Sequence, residues 1–435
     1  MLATMKLRVS VAITITIAGL FSLTGGPTWA ESVEYEVTVL PPVPDSFNWV
    51  AQGLNNHGDI VGWAQFQRNP FFLRAWKWSQ DEGMVLLPAP PGRDALRYGA
   101  RDINDAGVIA GDGGGDGGEA WRFQDGEYTL LGTIENDPLS TGPGLNENGD
   151  MAGYSGDPSF GRPKHLFRYT DDGGMVSLLS GRGTGINDSR QVTGYFEKTY
   201  GGGWEAVRID ADGEVLYLGF LPGHKDSFGF GINNAGQIVG TSRRSESSTA
   251  FVYTDGVGMR VIPGVSRWNS AVAINKRGHV VGSATDPGRS FRWTPETGTQ
   301  ELTSLIEPSL EIQIRSAMDI NDRGQIVAYG LDLNRRENVQ LLLTPVGGGI
   351  DCQSVNKFKN KCKKGKLKSI VTSGLPGGTE LTIDNGGGTK SMVLNNRGKG
   401  KVKWNGQDGE REMTIVECPG RTCTVNCPGN DSCRG

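Results

Sequence analysis

One short pattern recurs seven times in this sequence, and it limits the possible folds more than any other feature. In each copy an aliphatic residue is followed directly by an asparagine. Two variable positions separate the asparagine from a glycine, which is present in most copies. One position later comes an apolar residue, and after one more position comes a second glycine, again in most copies. The copies begin at Leu54, Ile103, Leu145, Ile186, Ile232, Ile274 and Ile320. Their spacing of about 41 to 49 residues is typical of propeller blades.

The pattern predicts a β-hairpin. Asparagine accepts backbone hydrogen bonds at the first position of a type I turn. Glycine three residues later supplies the left-handed conformation that ends such a turn. In the fourth copy Arg190 replaces this glycine. A residue with a Cβ in that conformation costs about 1–2 kcal/mol, so we expect a distorted turn there.

Two further strands complete each repeat. A strand with an aromatic or aliphatic core follows the hairpin, as at 75–78, and a glycine turn leads to a fourth, as at 84–87. Four strands in seven repeats predict an all-β, seven-bladed β-propeller. The seventh repeat has a third strand at 339–343 but no fourth. Residues 35–40 have the spacing of a fourth strand, so we predict that they complete the last blade and close the ring.

The asparagine–glycine hairpin and the strand after it resemble the HAF-type extracellular repeat family. The His-Ala-Phe of that family is matched best by His-Leu-Phe at 165–167 and partly by Ala-Phe at 250–251. The resemblance covers roughly 32–347 and implies an exported propeller-like protein, with no catalytic residue to carry over. The sequence departs from the family at Arg190, at Ala328 in place of the final glycine, and in the mostly missing histidine.

The N-terminus is predicted to be a signal peptide, residues 1–30. Lys6 and Arg8 precede an apolar run at 9–23, and small residues lead to a cleavage site after Ala30. The run is shorter than the roughly 20 residues of a membrane span. We therefore expect an extracellular or periplasmic protein with no membrane span after cleavage, and an uncleaved anchor is the alternative.

The composition changes after the repeats. The predicted propeller occupies 31–346, a glycine linker 347–350 and a small β-sandwich-like domain 351–435. An even number of cysteines in an exported segment predicts disulfides, although the pairing cannot be read from sequence. Zinc is the alternative, but no CxxC pair and no histidine supports it. All six cysteines lie in the last domain: Cys352, Cys362, Cys418, Cys423, Cys427 and Cys433.

The last domain is also basic, with about 15 Lys and Arg against about 8 acidic residues. Its lysine-rich stretch at 355–368 could contact an acidic polysaccharide, nucleic acid or an anionic envelope. We favour a solvated strand edge that lysines protect against mispairing. Nucleic acid is the least favoured partner, because few aromatic residues are available to stack on bases.

The position after the second repeat glycine varies most between copies. Variable positions on a repeated frame often form a binding face. Its aromatic residues are candidates for contact with an extracellular glycan or protein, and packing between adjacent blades is the alternative: Trp63, Tyr154 and Tyr195. Asp112, Asp116 and Glu119 lie in a glycine-rich stretch that could bind calcium, with an ordinary surface loop as the alternative.

No catalytic motif stands out. The sequence has no G-x-S-x-G, phosphate-binding loop or HExxH, and its four histidines are scattered: His57, His165, His224 and His279. We therefore predict an exported, monomeric, non-catalytic scaffold or binding module that needs no cofactor or metal. The alternative is a secreted hydrolase that acts on polysaccharides or esters at the propeller axis.

Overall fold

The protein is all-β. The computed structural model describes residues 34–434 except 68–71, 91–96, 115–117, 136, 158–161, 199–202, 265, 286–288, 347–354, 356, 364–365, 374–379, 386–388, 396, 405–408, 416–417 and 428–431. The predicted signal peptide, 1–30, lies outside these residues. Within them the helical elements are two short 3-10 helices, Leu302–Leu305 and Pro308–Leu310, and none could cross a membrane.

Residues 35–345 form seven antiparallel four-stranded sheets. The first strand, β1 (Tyr35–Val39), does not pair with the strands that follow it. Six sheets consist of four strands that are consecutive in the chain: β2 (Asn48–Leu54), β3 (Ile60–Gln67), β4 (Phe72–Ser79), β5 (Gly83–Leu86); β6 (Arg97–Ile103), β7 (Ile109–Gly114), β8 (Ala120–Gln124), β9 (Glu127–Leu130); β10 (Leu139–Leu145), β11 (Met151–Asp157), β12 (Arg162–Thr170), β13 (Gly174–Leu179); β14 (Arg182–Ile186), β15 (Val192–Glu197), β16 (Trp204–Ile209), β17 (Val215–Tyr217); β18 (Asp226–Ile232), β19 (Ile238–Arg244), β20 (Ser247–Thr254), β21 (Gly258–Val261); β22 (Asn269–Ile274), β23 (Val280–Ala284), β24 (Arg289–Thr294), β25 (Gly298–Glu301).

The seventh sheet combines the two ends of the repeat region. Its order is β1-β28-β27-β26, where the last three strands are β26 (Ile312–Ile320), β27 (Ile326–Asp332) and β28 (Glu337–Pro345). The pairing runs antiparallel from Tyr35 opposite Pro345 to Val39 opposite Leu341. The N-terminal strand therefore occupies the position in the seventh repeat that the sequence left open.

The repeated turns have the predicted chemistry. The Asn233 side-chain oxygen accepts the backbone N–H groups of Ala235 and Gln237 at 3.1 and 3.0 Å, and Gly236 has a φ of 73°. The prediction of a distorted turn in the fourth copy is wrong. Arg190 adopts the same left-handed conformation, with a φ of 59°, and keeps the turn hydrogen bond to Asn187 at 2.9 Å. Its guanidinium also pairs with Asp150 at 3.1 Å.

The second repeat glycine allows close packing within each sheet. A Cβ at Gly153 would lie 1.8 Å from the carbonyl oxygen of Thr141 and 2.8 Å from the ring of Phe167. In the seventh copy Ala328 takes this position. The pairing of β26 with β27 in that sheet has two register shifts, whereas the pairing of the corresponding two strands in each of the other six sheets has one.

The apolar core lies between neighbouring sheets. Ala152 and Leu166 of the third sheet pack with Ile186 and Val192 of the fourth. The aromatic residues of the third strands are among the largest fully buried side chains: Trp76, Trp121, Phe167, Phe251 and Phe291. Burial between sheets, with the innermost strands facing one another, gives a β-propeller-like fold.

Residues after 355 form two more four-stranded sheets. Their orders are β33-β30-β29-β36 and β32-β31-β34-β35, and their inner faces share one apolar core that includes Phe358, Trp404 and Met413. The cysteine side chains, and with them the predicted disulfides, lie outside the described part of the chain. The strands are β29 (Lys357–Lys363), β30 (Lys366–Thr372), β31 (Glu380–Asp384), β32 (Thr389–Val393), β33 (Lys399–Trp404), β34 (Gly409–Ile415), β35 (Cys418–Cys427) and β36 (Ser432–Arg434).

Candidate functional site at the axial cavity

The innermost strands surround a cavity of about 510 Å³. Each of these strands breaks register with its partner shortly before the repeated asparagine, as between Ala51 and Gly53. Such a β-bulge adds a residue that opposes no partner and re-aims its side chain. The residue three positions before each asparagine therefore lines the cavity: Gln52, Arg101, Pro143, Thr184, Phe230, Val272 and Met318.

Two of the three aromatic residues predicted to contact a ligand line the same cavity. Tyr154 and Tyr195 face it from the second strands of the third and fourth sheets. Trp63 is absent from the lining of this cavity, and its side chain packs against Gly99 of the next sheet, where a Cβ would approach it to 3.3 Å. Tyr195 is held edge-on by Phe228, with ring centroids 4.9 Å apart.

Arg182 lies between the two tyrosines. Its guanidinium carbon is 4.2 Å from the centre of the Tyr154 ring, and its backbone pairs with Tyr195 across the strands. The Nε atom is buried and has no hydrogen-bond partner among the described residues. A guanidinium that lies over an aromatic face and has an N–H group without a partner is well suited to bind an anion.

The second arginine of this region is already neutralised. Arg101 donates two hydrogen bonds to Asp112, at 3.0 and 3.1 Å, and one to Gln52 at 3.2 Å. Both Asp112 oxygens are thus used by a cation within the protein. Asp116, from the same glycine-rich stretch, lies outside the described residues. Within the described ranges, no group of three His, Cys, Asp or Glu side chains could hold a metal ion.

Two half-buried carboxyl groups line the cavity where its two ends meet. The position two residues before the repeated asparagine is glycine or alanine in five copies but Asp102 and Asp319 in the second and seventh. Burial, with repulsion from Asp319, raises the pKa of Asp102 to about 8. Burial also raises the pKa of Asp319 to about 6. One carboxyl is therefore mainly protonated near neutral pH while its neighbour is mainly ionised.

Both carboxyl groups also join adjacent sheets. Asp102 accepts the N–H groups of Ile103 at 2.8 Å and of Leu145, in the next sheet, at 3.2 Å. Asp319 accepts those of Ile320 at 2.8 Å and of Leu54, in the first sheet, at 3.0 Å. Each carboxyl thus connects its own strand to the innermost strand of a neighbouring sheet.

A ladder of asparagine side chains surrounds the opposite, narrower end, a space of about 190 Å³. The side-chain amide of each repeated asparagine donates to the backbone carbonyl of the next one. The donor–acceptor distances are 2.9–3.2 Å, and the last bond, from Asn321 to Asn55, joins the seventh copy to the first: Asn55, Asn104, Asn146, Asn187, Asn233, Asn275 and Asn321.

The residue after each asparagine forms an outer ring at the narrow end. Its backbone N–H donates to the side chain of the corresponding residue in the next sheet, as from Glu147 to Asp188 at 2.9 Å. The side chain of Lys276 has no acceptor atom. Among the described residues, the backbone N–H of Asn234 therefore makes no such bond to the next sheet. Asp105 belongs to the ring through its bonds with Asn56 and Glu147, and the other six members line the space at the narrow end. The ring has four acidic residues and one lysine, so the narrow end is acidic: Asn56, Asp105, Glu147, Asp188, Asn234, Lys276 and Asp322.

Similarity to known proteins is confined to weak structural likeness. No family model and no curated protein matches the sequence. Virginiamycin B lyase from Staphylococcus aureus has 14% identity and a TM-score of 0.45 over 71% of this chain and 98% of that one. A streptogramin B lyase has 13% identity and a TM-score of 0.47 over 72% and 98%. A puromycin-hydrolyzing peptidase from Mycobacterium tuberculosis has 10% identity and a TM-score of 0.40 over 80% and 60%. No site residue of these proteins is carried over to this chain.

Proposed function

We propose that this protein is an exported, non-catalytic binding module that holds its ligand at the wide end of the axial cavity. In this proposal the seven sheets are the blades of a closed seven-bladed propeller of the HAF-type repeat class. The pairing of β1 with β28 and the bond from Asn321 to Asn55 support closure.

The observation that carries the proposal is the environment of Arg182. Its buried Nε has no hydrogen-bond partner among the described residues, although a buried donor without a partner costs about 1–3 kcal/mol. Arg182 lines the cavity, so a ligand anion there would pair with the charge of the guanidinium. The adjacent Tyr154 and Tyr195 supply flat apolar surface, which suits a sugar ring or a peptide side chain. The ligand class is therefore a carboxylate-bearing glycan or peptide.

A glycan and peptide array probed with the purified full-length protein tests this function. We expect Arg182→Gln to weaken binding of the best ligand roughly tenfold or more, because a charge-assisted hydrogen bond contributes about 1.5–3 kcal/mol. Tyr195→Ala should weaken the same ligand through lost contact area. Lys276→Gln, at the opposite end, is the matched control and should bind as the wild type does. Unchanged binding by Arg182→Gln would remove the basis of the proposal.

One observation favours the alternative of a hydrolase at the axis. Asp102 and Asp319 line the same cavity with raised and unequal pKa values of about 8 and 6, which is the arrangement of a general acid and a general base. Turnover of an arrayed polysaccharide or ester would support this alternative. Asp102→Asn and Asp319→Asn should then each abolish turnover and leave Arg182-dependent binding largely intact.

A further inference from the structure

One face of the β33-β30-β29-β36 sheet carries a dense array of lysines. Eight lysines occupy alternate positions on three neighbouring strands, and all are exposed or partly exposed: Lys357, Lys359, Lys361, Lys366, Lys368, Lys399, Lys401 and Lys403. Since side chains alternate between the two faces of a strand, this spacing puts all eight on one side. We call this surface the lysine face.

The opposite side of the same strands confirms the alternation. Phe358, Leu367, Val402 and Trp404 are buried in the core shared with the second sheet. Ser369, also on the inner side, hydrogen-bonds Asn360. The two sides are therefore sharply different, with an apolar interior and a cationic exterior.

The lysines face one another directly. Lys361 lies opposite Lys368, which in turn lies opposite Lys403 on the third strand. Directly opposed like charges, with Cβ atoms about 4.5–5.5 Å apart, destabilise a sheet. Within the described part of the chain no acidic side chain lies on this face and none of the eight lysines forms an ion pair. The fold thus maintains a repulsive arrangement that an anionic partner would relieve.

Protection of a strand edge, which the sequence favoured, does not account for these positions. In the sheet order, β29 and β30 are the two central strands and are hydrogen-bonded on both sides. Five of the eight lysines lie on these central strands. A central strand has no free edge to protect, so the prediction of an edge guard is wrong for this sheet.

We propose that the lysine face is a binding surface for a linear acidic polysaccharide. Lysines on one strand repeat every second residue, about 6.6–6.8 Å, and neighbouring strands are about 4.8 Å apart. A polymer with regularly spaced anionic groups can lie along such rows and contact several lysines at once. Lysine is a flexible point charge without the planar fork of arginine, which suits a repetitive polyanion.

Two other anionic partners fit less well. A membrane-binding face usually has Trp or Tyr at the interface, and among the described residues of this face the one large apolar outward residue is the partly buried Ile370. Single-stranded nucleic acid is held by aromatic side chains that stack on bases, and the described residues of the lysine face include none.

Binding of the full-length protein to polygalacturonate and to heparin tests the proposal, with phosphatidylglycerol vesicles and a single-stranded oligonucleotide as competing probes. We expect a polysaccharide to bind more tightly than the vesicles or the oligonucleotide, with an affinity that falls steeply as salt rises. The triple variant Lys361→Gln, Lys368→Gln, Lys403→Gln should weaken polysaccharide binding about tenfold. The matched control, Lys225→Gln, Arg260→Gln, Arg323→Gln, removes three exposed cations that form no ion pair among the described residues, and it should bind as the wild type does.

The outcomes are distinct. Tighter binding to vesicles or to the oligonucleotide would overturn the proposal, as would equal losses in the two triple variants or no loss in the first. Misfolding is checked by chemical unfolding: because the first triple variant removes like-charge contacts, its last domain should be at least as stable as that of the wild type. A stable variant that still binds polysaccharide at full strength would exclude the lysine face.

Discussion

At the scale of single residues, the repeated asparagine has two separate roles. Its side-chain oxygen accepts backbone N–H groups within its own turn, as Asn275 does for Arg277 and His279. Its side-chain amide donates to the next sheet, as Asn275 does to Asn321 at 3.0 Å. Aspartate could perform the first role but not the second, which explains why asparagine occupies all seven copies.

This division of roles predicts the effect of Asn275→Asp. The variant keeps the acceptor for the turn but places a carboxylate oxygen against the carbonyl of Asn321, in a residue that is 3% exposed. Loss of the bond and the new repulsion should lower the free energy of unfolding by about 2–3 kcal/mol. Urea unfolding measures this, with Asn334→Asp in an exposed turn as the control, which should change stability by less than about 0.5 kcal/mol. Equal effects of the two substitutions would refute the role of Asn275 in joining two sheets.

The sequence predicted the turn role of asparagine but not its donor role, because a pattern within one repeat contains no information about the facing repeat. The same limit applies to the cavity. Tyr154 and Tyr195 were found because their position varies, whereas Arg182 lies outside the repeated pattern. Asp102 and Asp319 left a readable signal, since they interrupt a position that is otherwise glycine or alanine.

At the scale of elements, strand positions followed from the sequence and bulges did not. Strands predicted at 84–87 and 339–343 correspond to β5 (Gly83–Leu86) and β28 (Glu337–Pro345). The alternation of apolar residues and the glycine turns determine such segments locally. A bulge arises from the fit between two strands, so the seven bulged residues that line the cavity could not be identified beforehand.

The pairing of β1 gives a prediction for Thr38. The backbone N–H of Val346 donates to the carbonyl of Glu34, and that of Leu40 donates to the carbonyl of Gln340. Hydrogen-bonded and non-hydrogen-bonded pairs alternate along an antiparallel ladder, so the N–H of Thr38 points toward the carbonyl of Leu342. Thr38→Pro should remove this bond and lower the free energy of unfolding by about 3 kcal/mol. The exposed side chain of Thr38 makes Thr38→Ala a suitable control with a small effect. If unfolding in urea showed equal stability for the two variants, β1 would not be holding the last sheet.

At the scale of the whole molecule, the axial cavity has ends of opposite character. Arg182 and the Arg101–Asp112 pair lie at the wide end, and four acidic residues and one lysine at the narrow end. Asp102 and Asp319 lie between the two ends and connect the second and seventh sheets to their neighbours. The stability of the seven-sheet region should therefore depend on pH through the protonation of these two carboxyl groups.

The sign of this pH dependence follows from the raised pKa of Asp102. In the folded protein its pKa is about 8, against 3.8 ordinarily, so between these values the folded state holds a proton that the unfolded chain has released. The free energy of unfolding should therefore fall as pH rises from about 4 to about 8, by at most about 1.4 kcal/mol per pH unit for one proton. Asp319 should add a smaller dependence between 3.8 and about 6.

The variant Asp102→Asn tests whether this pH dependence arises from Asp102 and not from other titrating groups. The amide cannot titrate, and its nitrogen cannot accept the N–H of Leu145, so the variant should be about 1 kcal/mol less stable than the wild type at pH 5. At pH 8, where the wild type must tolerate a half-buried charge, the difference should shrink or reverse. Urea unfolding of both proteins at pH 5, 6, 7 and 8 measures the two slopes, with Asp212→Asn in an exposed turn as the control. Parallel curves for Asp102→Asn and the wild type would mean that the proton on Asp102 does not stabilise the ring.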